Sequence, residues 1–271
     1  MSNRENDPLD RLADAILASA KYKNVCEDFI RNVGLRELSK QRSLKDAIKA
    51  TKNKLHQVGG AYLDSRVNYA RWLDQLRDAH GSSDREKFLK ACRIVMSYHA
   101  STRERLEIID RFYTETLAGL SPLHTVLDIA CGLNPLAIPW MPLAANAKYY
   151  AIDIYQDMIN FLNEFMALTD VQCHALAGDV LQYCPTQRVD IAFLLKTIPC
   201  LGQVDKFAGI RLLEMINADY LLVSFPVHTL GGRDKGMVTY YANQFRELVA
   251  GKPWDVKRFE FATELAFLVT T

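Results

Sequence analysis

The chain has no apolar run approaching the ~20 residues needed to cross a bilayer, so a helical membrane span is excluded. Its first residues, Met1-Ser2-Asn3-Arg4-Glu5-Asn6-Asp7, lack the apolar stretch of a secretory signal. The expected location is therefore cytoplasmic, with no membrane partner. Six cysteines (Cys26, Cys92, Cys131, Cys173, Cys184, Cys200) are scattered without a Cys-x-x-Cys pair. Neither a zinc site nor a disulfide framework is indicated; reduced, mostly buried thiols and no metal are expected. No Gly-x-Gly-x-x-Gly run occurs, which removes a nicotinamide dehydrogenase. Internal repeats and low-complexity segments are absent too.

What is present centres on one run, Asp128-Ile129-Ala130-Cys131-Gly132-Leu133-Asn134-Pro135-Leu136-Ala137. It follows the apolar Thr125-Val126-Leu127, read as a buried strand, and ends in residues able to start a helix. An acidic residue at a strand end, then small residues, lets backbone approach a nucleoside-like ligand at the carboxyl edge of an open sheet. A single glycine is too few to cradle a pyrophosphate, so S-adenosylmethionine, with a nucleoside and an amino-acid end but no phosphate, fits better.

The chain downstream supports this reading. Lys148 to Ile152 forms a second strand ending at Asp153, placed to accept from both ribose hydroxyls. A third, Val171 to Leu176, leads to Gly178-Asp179-Val180, where a carboxylate can take an adenine amine. A fourth, Asp190 to Leu195, ends in Lys196-Thr197-Ile198-Pro199. Three carboxylates at three successive strand ends are expected to point into one crevice, against the plainer reading of each as a cap or turn residue. Two late strands, about 256–261 and 263–269, leave no room for a helix between them, so one is expected to be antiparallel.

The two halves differ. Residues 1–110 carry 21 Lys and Arg against 16 Asp and Glu, and the remainder carries 12 against 16. Between Arg31 and Lys54 eight basic residues face only Glu37 and Asp46. Lys45, Lys49 and Lys52 fall on one helix face, the footprint of a polyanion-binding surface rather than of an ordinary solvated helix with interspersed signs. Residues 8–118 read as helical, with segments at about 43–57, 65–79, 84–98 and 101–118, broken at Gly59-Gly60 and Gly81-Ser82-Ser83. A helical, basic domain over 1–118 and a cofactor-binding α/β domain over 119–271 are expected. Ser101-Thr102-Arg103-Glu104 reads as a capping box, leaving Arg105 either on the surface or gripping a carboxylate.

These motifs together resemble a known family. His99-Ala100-Ser101-Thr102-Arg103-Glu104-Arg105-Leu106, Asp128 through Ala137, Leu194-Leu195-Lys196 and Ser224-Phe225-Pro226 carry the resemblance. So do Leu230 through Met237, Lys54-Leu55-His56-Gln57, Gly60-Ala61-Tyr62 and Thr263-Glu264-Leu265. The chain is similar to the aminoglycoside-resistance 16S rRNA methyltransferases that modify N7 of guanine-1405. The resemblance implies a Rossmann-like, seven-stranded α/β methyltransferase sheet preceded by a helical N-terminal domain, S-adenosylmethionine as cofactor, and a monomer acting on the assembled 30S subunit. By the same resemblance Tyr62, His99, Ala100, Ser101, Arg105, Ala130, Gly132, Asp153, Asp179, Val180, Leu195 and Gln203 bind the cofactor. Lys45, Lys49, Lys52, Lys54, His56, Arg233, Lys235 and Met237 would meet RNA, and Lys196 would position the reactants.

Guanine N7 already carries an in-plane lone pair, so no general base is expected. Cys200 is read as packing rather than as a nucleophile. A methyltransferase acting on another rRNA position or on a small molecule, or a non-catalytic ribosome-binding protein, are the alternatives. A small-molecule enzyme would not need the basic helical half, and Arg105, Asp153 and Asp179 argue against loss of catalysis.

Overall fold

The computed structural model describes residues 7–63, 67–120, 122–227 and 236–271. Helix α1 (Pro8–Leu17) begins where the Asp7 carboxylate accepts from the Leu9 N–H, with Pro8 in the first turn where no N–H is missed. Leu12, Ala13 and Ile16 form its inward stripe. Then follow α2 (Glu27–Leu38) and α3 (Leu44–Leu55), the latter capped by Ser43. A single π-helical turn over His56–Gly60 continues α3 through the glycine pair that was expected to end it. Helices α4 (Tyr69–Gly81), α5 (Arg85–Met96), α6 (Ala100–Arg105) and α7 (Ile109–Thr116) complete the helical half.

Three local expectations fail. The helix read over 101–118 is two helices, α6 and α7, separated at Leu106–Ile108. The capping box is absent: His99 occupies the cap position of α6 with no side-chain hydrogen bond, and Ser101 lies within the helix. The Glu104 carboxylate cannot return to its own helix start because Lys196 Nζ takes it at 2.8 Å. The residues after Gly132 form a 3₁₀ turn, Asn134–Trp140, because Pro135 and Pro139 withhold the N–H groups an α-helix needs.

The sheet consists of β1 (Leu123–Ile129), β2 (Leu143–Asp153), β3 (Gln172–Ala177), β4 (Val189–Leu195), β5 (Ala218–Pro226), β6 (Asp255–Glu260) and β7 (Glu264–Thr270). Their order is β3-β2-β1-β4-β5-β7-β6, and β7 runs antiparallel to both its neighbours while the other pairs are parallel. Helix α8 (Gln156–Met166) joins β2 to β3. A short α9 (Thr197–Leu201) and α10 (Ala208–Met215) lie between β4 and β5, and α11 (Met237–Leu248) precedes β6.

Strand alternation builds two cores. Val126, Tyr149, Ile191, Phe193, Leu222 and Leu268 pack with α8 and the amino-terminal helices, while Leu127, Ile152, Leu194, Leu221, Val223 and Phe267 pack with α9, α10 and α11. The helical half thus shares one core with a face of the sheet. It is also tied along the sheet's carboxyl edge: Cys26 N–H donates to Ile154 O (2.8 Å), Asn24 to Asp157 (2.6 Å), Asn32 to Asp179 (2.6 Å) and Arg36 to Asp205 (2.8 Å). Among the described residues no helix is long and apolar enough to cross a membrane, and no cluster of His, Cys, Asp or Glu is arranged to hold a metal ion.

Candidate functional site

The strand order reverses between β1 and β4, and the crevice of an open α/β sheet forms at such a point, outside the carboxyl ends of the strands. A pocket of about 840 Å³, counting the space at its mouth, lies there. Segments following the first four strands line it: Ala130 after β1, Asp153 at the end of β2, Asp179 and Val180 after β3, and Lys196 after β4. The helical half closes it with Phe29, Tyr62, His99, Ser101 and Arg105. Ten of the residues singled out in the sequence meet in this one space: Tyr62, His99, Ser101, Arg105, Ala130, Asp153, Asp179, Val180, Leu195 and Lys196.

The turn after β1 has the backbone a close approach requires. Ala130 and Gly132 both have positive φ, 52° and 51°. A Cβ on Gly132 would lie 2.8 Å from the His99 ring, so only glycine fits beside that imidazole. Gly132 is not itself in the lining; its N–H donates to Asp153 Oδ2 (2.9 Å) while the Ile154 N–H donates to Oδ1 (2.7 Å), fixing that carboxylate. Ala100 likewise acts through backbone, donating to Tyr62 O (2.8 Å). Asp179 is held by the Asn32 amide and the Leu181 N–H. Asn32, Tyr155 and Met158 were not singled out in the sequence, and nothing local distinguishes them.

Asp128 departs from its expected place. It is buried behind the pocket instead of lining it, and accepts from Asn134 Nδ2 (2.9 Å) and Tyr149 OH (2.7 Å). Burial pushes its carboxyl up to about 6 against those hydrogen bonds. Asn134 Oδ1 in turn accepts from Arg105 Nη1 (2.8 Å). Arg105 is fully buried, which rules out the surface reading, and Glu264, also fully buried, takes its Nε and Nη2 at 3.1 and 2.6 Å. Burial alone would raise Glu264, yet Arg105 and Lys196 beside it hold its carboxyl below the usual range. Three of the guanidinium's five N–H donors go to these two partners, and Arg105 also lines the pocket.

His99 lines the pocket with its Nδ1 sealed and unpaired. Desolvation, reinforced by Lys196 and Arg105, pushes its pKa down to about 3, so the ring is neutral. Cys200 Sγ lies 3.1 Å from Tyr62 OH, and burial pushes its thiol up to about 11, which disfavours the thiolate a nucleophile needs.

A second, more open pocket adjoins the first and shares Tyr62, Ser101 and Lys196 with it. His56, Gln57, Glu104, Gln203, Met237 and Tyr241 also line it, so Gln203 sits here and not in the deeper pocket. Lys196, left-handed at φ 59°, places its ammonium within reach of three acceptors: Glu104 at 2.8 Å, Ser101 O at 3.1 Å and Glu264 at 3.3 Å.

The basic run divides when folded. Arg31 pairs with Asp10 and Glu27, Arg36 with Asp205, and Lys40 and Arg42 with the buried Glu37. Lys54 Nζ donates to Gln203 O (2.5 Å), tying α3 to the second pocket. Lys45, Lys49 and Lys52 on α3 carry no ion pair among the described residues. Arg233 and Lys235 lie outside the described residues.

A seven-stranded sheet with one reversed strand, and a crevice at its switch point, is the Rossmann-like methyltransferase fold. The chain belongs to the family described as ribosomal RNA methyltransferase (FmrO), whose model matches residues 18–268. It is 34% identical over 266 residues to a 16S rRNA (guanine(1405)-N(7))-methyltransferase of Micromonospora rosea, with 97% of each chain covered. A protein of the same description from Serratia marcescens is 33% identical, covering 94% of this chain and 95% of its own. Among solved structures, the 16S rRNA methyltransferase RmtF in complex with S-adenosyl-L-homocysteine superposes with a TM-score of 0.78 at 29% identity, covering 100% and 99% of the two chains.

Proposed function

We propose that the protein is a 16S rRNA (guanine(1405)-N(7))-methyltransferase that acts on the assembled 30S subunit as a cytoplasmic monomer and confers aminoglycoside resistance. The observation that carries this is the pair of pockets with one shared wall: an enclosed one for a nucleoside-bearing cofactor, and an open one for a base. The deeper pocket fits S-adenosylmethionine: Asp153 faces the ribose, Asp179 with Val180 the adenine, and Arg105 the carboxylate, beside the small Ala130 turn. Bound there, S-adenosylmethionine supplies an electrophilic methyl group on a sulfonium.

The protein's own work is to hold the two reactants in line and exclude water. Held by Arg105, Asp153 and Asp179, the cofactor would offer its sulfonium methyl to the in-plane lone pair of guanine N7, at the wall shared by the two pockets. No proton leaves the base, so the neutral His99 and the fully engaged Lys196 need not act as bases. The target must be extruded from its helix, at a cost of a few kcal/mol offset by contacts in the open pocket. The methylated guanine carries a positive charge, which repels a polycationic drug. The test is reverse transcription of 16S rRNA from treated 30S subunits after borohydride and aniline cleavage. A stop at one decoding-site guanine is expected; stops elsewhere, or none, refute the assignment.

Residues 1–118, through the exposed face of α3, form the rRNA-docking part, with His56 and Met237 at the base-binding pocket. Charge reversal of Lys45, Lys49 and Lys52 together should weaken 30S binding and lower the slope of log affinity against log salt by roughly one unit per lost phosphate contact. Lys54 is left out because its contact to Gln203 would confound the result. Subunit binding across a salt series checks this; an unchanged slope makes the run a solvated face only.

A further inference from the structure

We infer that the Glu104–Lys196 pair reads the acceptor base as guanine, Lys196 donating to O6 and Glu104 accepting from N1–H. This rests on the deeper pocket delivering the methyl group, as proposed above.

Three observations support it. The first is order. Lys196 lines both pockets, whereas Glu104 lines the open one alone, so the wall reads deeper pocket, then Lys196, then Glu104. The edge of guanine reads N7, then O6, then N1–H. A base with N7 at the junction of the pockets therefore meets a cation where it has a carbonyl, and a carboxylate where it has an N–H. The second is spacing: Lys196 Nζ and Glu104 Oε2 are 2.8 Å apart, close enough to address adjacent positions on one base edge.

The third is donor arithmetic. Three acceptors surround the Lys196 ammonium, which has three donors, so a contact to O6 must replace one. The longest, to Glu264 at 3.3 Å, is the one that can be released, because Arg105 and Ser224 still satisfy that carboxylate. On Glu104, Oε2 holds Lys196 and Oε1 accepts nothing among the described residues, and its side chain keeps 27% of its surface accessible. Adenine inverts the pattern, placing an amine before the ammonium and a lone pair before the carboxylate. Neither the buried ammonium nor the half-buried carboxylate would then find a partner on the base.

The experiment uses 30S subunits rebuilt with guanine, inosine or adenine at the single target position, all of which present N7. Single-turnover methylation is measured with wild type, Glu104→Gln and Glu104→Asp, alongside melting temperature, subunit binding and calorimetric cofactor affinity. Wild type should methylate inosine within about tenfold of guanine, since O6 and N1–H are retained, and adenine at least about a hundredfold more slowly. Glu104→Gln should slow guanine about a hundredfold and cut its preference over adenine below about tenfold, with fold, subunit binding and cofactor affinity unchanged. Glu104→Asp should recover part of the preference. Equal slowing on all three bases, with the guanine preference kept, reduces Glu104 to a prop for Lys196 and overturns the inference alone. A wild-type enzyme inactive on guanine subunits overturns both this and the function it rests on.

Discussion

Arg105→Ala is expected to cost about 3–5 kcal/mol of stability in addition to cofactor affinity, because it strands a buried carboxylate. Glu264 is fully buried and takes two of the guanidinium's hydrogen bonds, with Ser224 OH and Lys196 as its other partners. Glu264→Ala should cost a similar amount by stranding Arg105. The double variant Arg105→Met/Glu264→Leu should lose clearly less than the two single losses added together, since no unpaired charge remains. Asp179→Ala offers a contrast: Asp179 accepts from an amide and a backbone N–H and pairs with no cation among the described residues. It should lose about 1.5–3 kcal/mol of cofactor binding with a smaller stability loss. Urea denaturation and calorimetry on the four variants separate the effects. Single-variant losses under about 1 kcal/mol would mean that the ion pair is hydrated and that Arg105 is free to serve the cofactor only.

Why that arginine was ambiguous in the sequence bears on what a sequence can show. The crevice was readable because apolar runs end in Asp or Lys at regular intervals, and period-two burial puts those ends on one edge. The first four strands lie within a few residues of their expected bounds, save that β2 begins at Leu143, and Asn146 takes a positive φ of 57° inside a strand of weak apolar pattern. Strand β7 reverses as the short gap after β6 required.

Partners far apart in the chain were not readable. Glu104 looks like half of a capping box until Lys196, distant in sequence, claims it. Arg36 looks like part of a basic stripe until Asp205, distant in sequence, neutralises it. Asn32 has no local signal at all, yet it holds the carboxylate proposed to face the adenine. Periodicity reports which way a side chain faces, and pairing across folded elements depends on which faces meet.

The last expectation concerns two buried groups whose effects on stability nearly cancel. His99, pushed down to about 3, stays neutral in the folded protein where the unfolded chain binds a proton near pH 6.5. Stability from this residue is present above pH 6.5 and is lost as the pH falls, by about 2 kcal/mol at pH 5. Part of the ring faces the pocket it lines, so pocket water trims that figure. Asp128 has the opposite sign: raised to about 6, it stays protonated in the fold while the unfolded chain ionises above about 4. Its contribution is lost as the pH rises toward 6, so lowering the pH from 7 to 5 returns about 1 kcal/mol. Glu264, held low, acts only below the usual carboxylate range and leaves this window alone. Wild type should therefore vary by within about 1 kcal/mol between pH 5 and 7 from these groups. His99→Gln should become more stable on acidification by about 1 kcal/mol, and Asp128→Asn should lose about 2. Urea midpoints measured at half-unit pH steps resolve the two slopes. Parallel pH profiles for wild type and both variants would mean that neither group is desolvated in the ligand-free protein, and that the pocket is wet down to its floor.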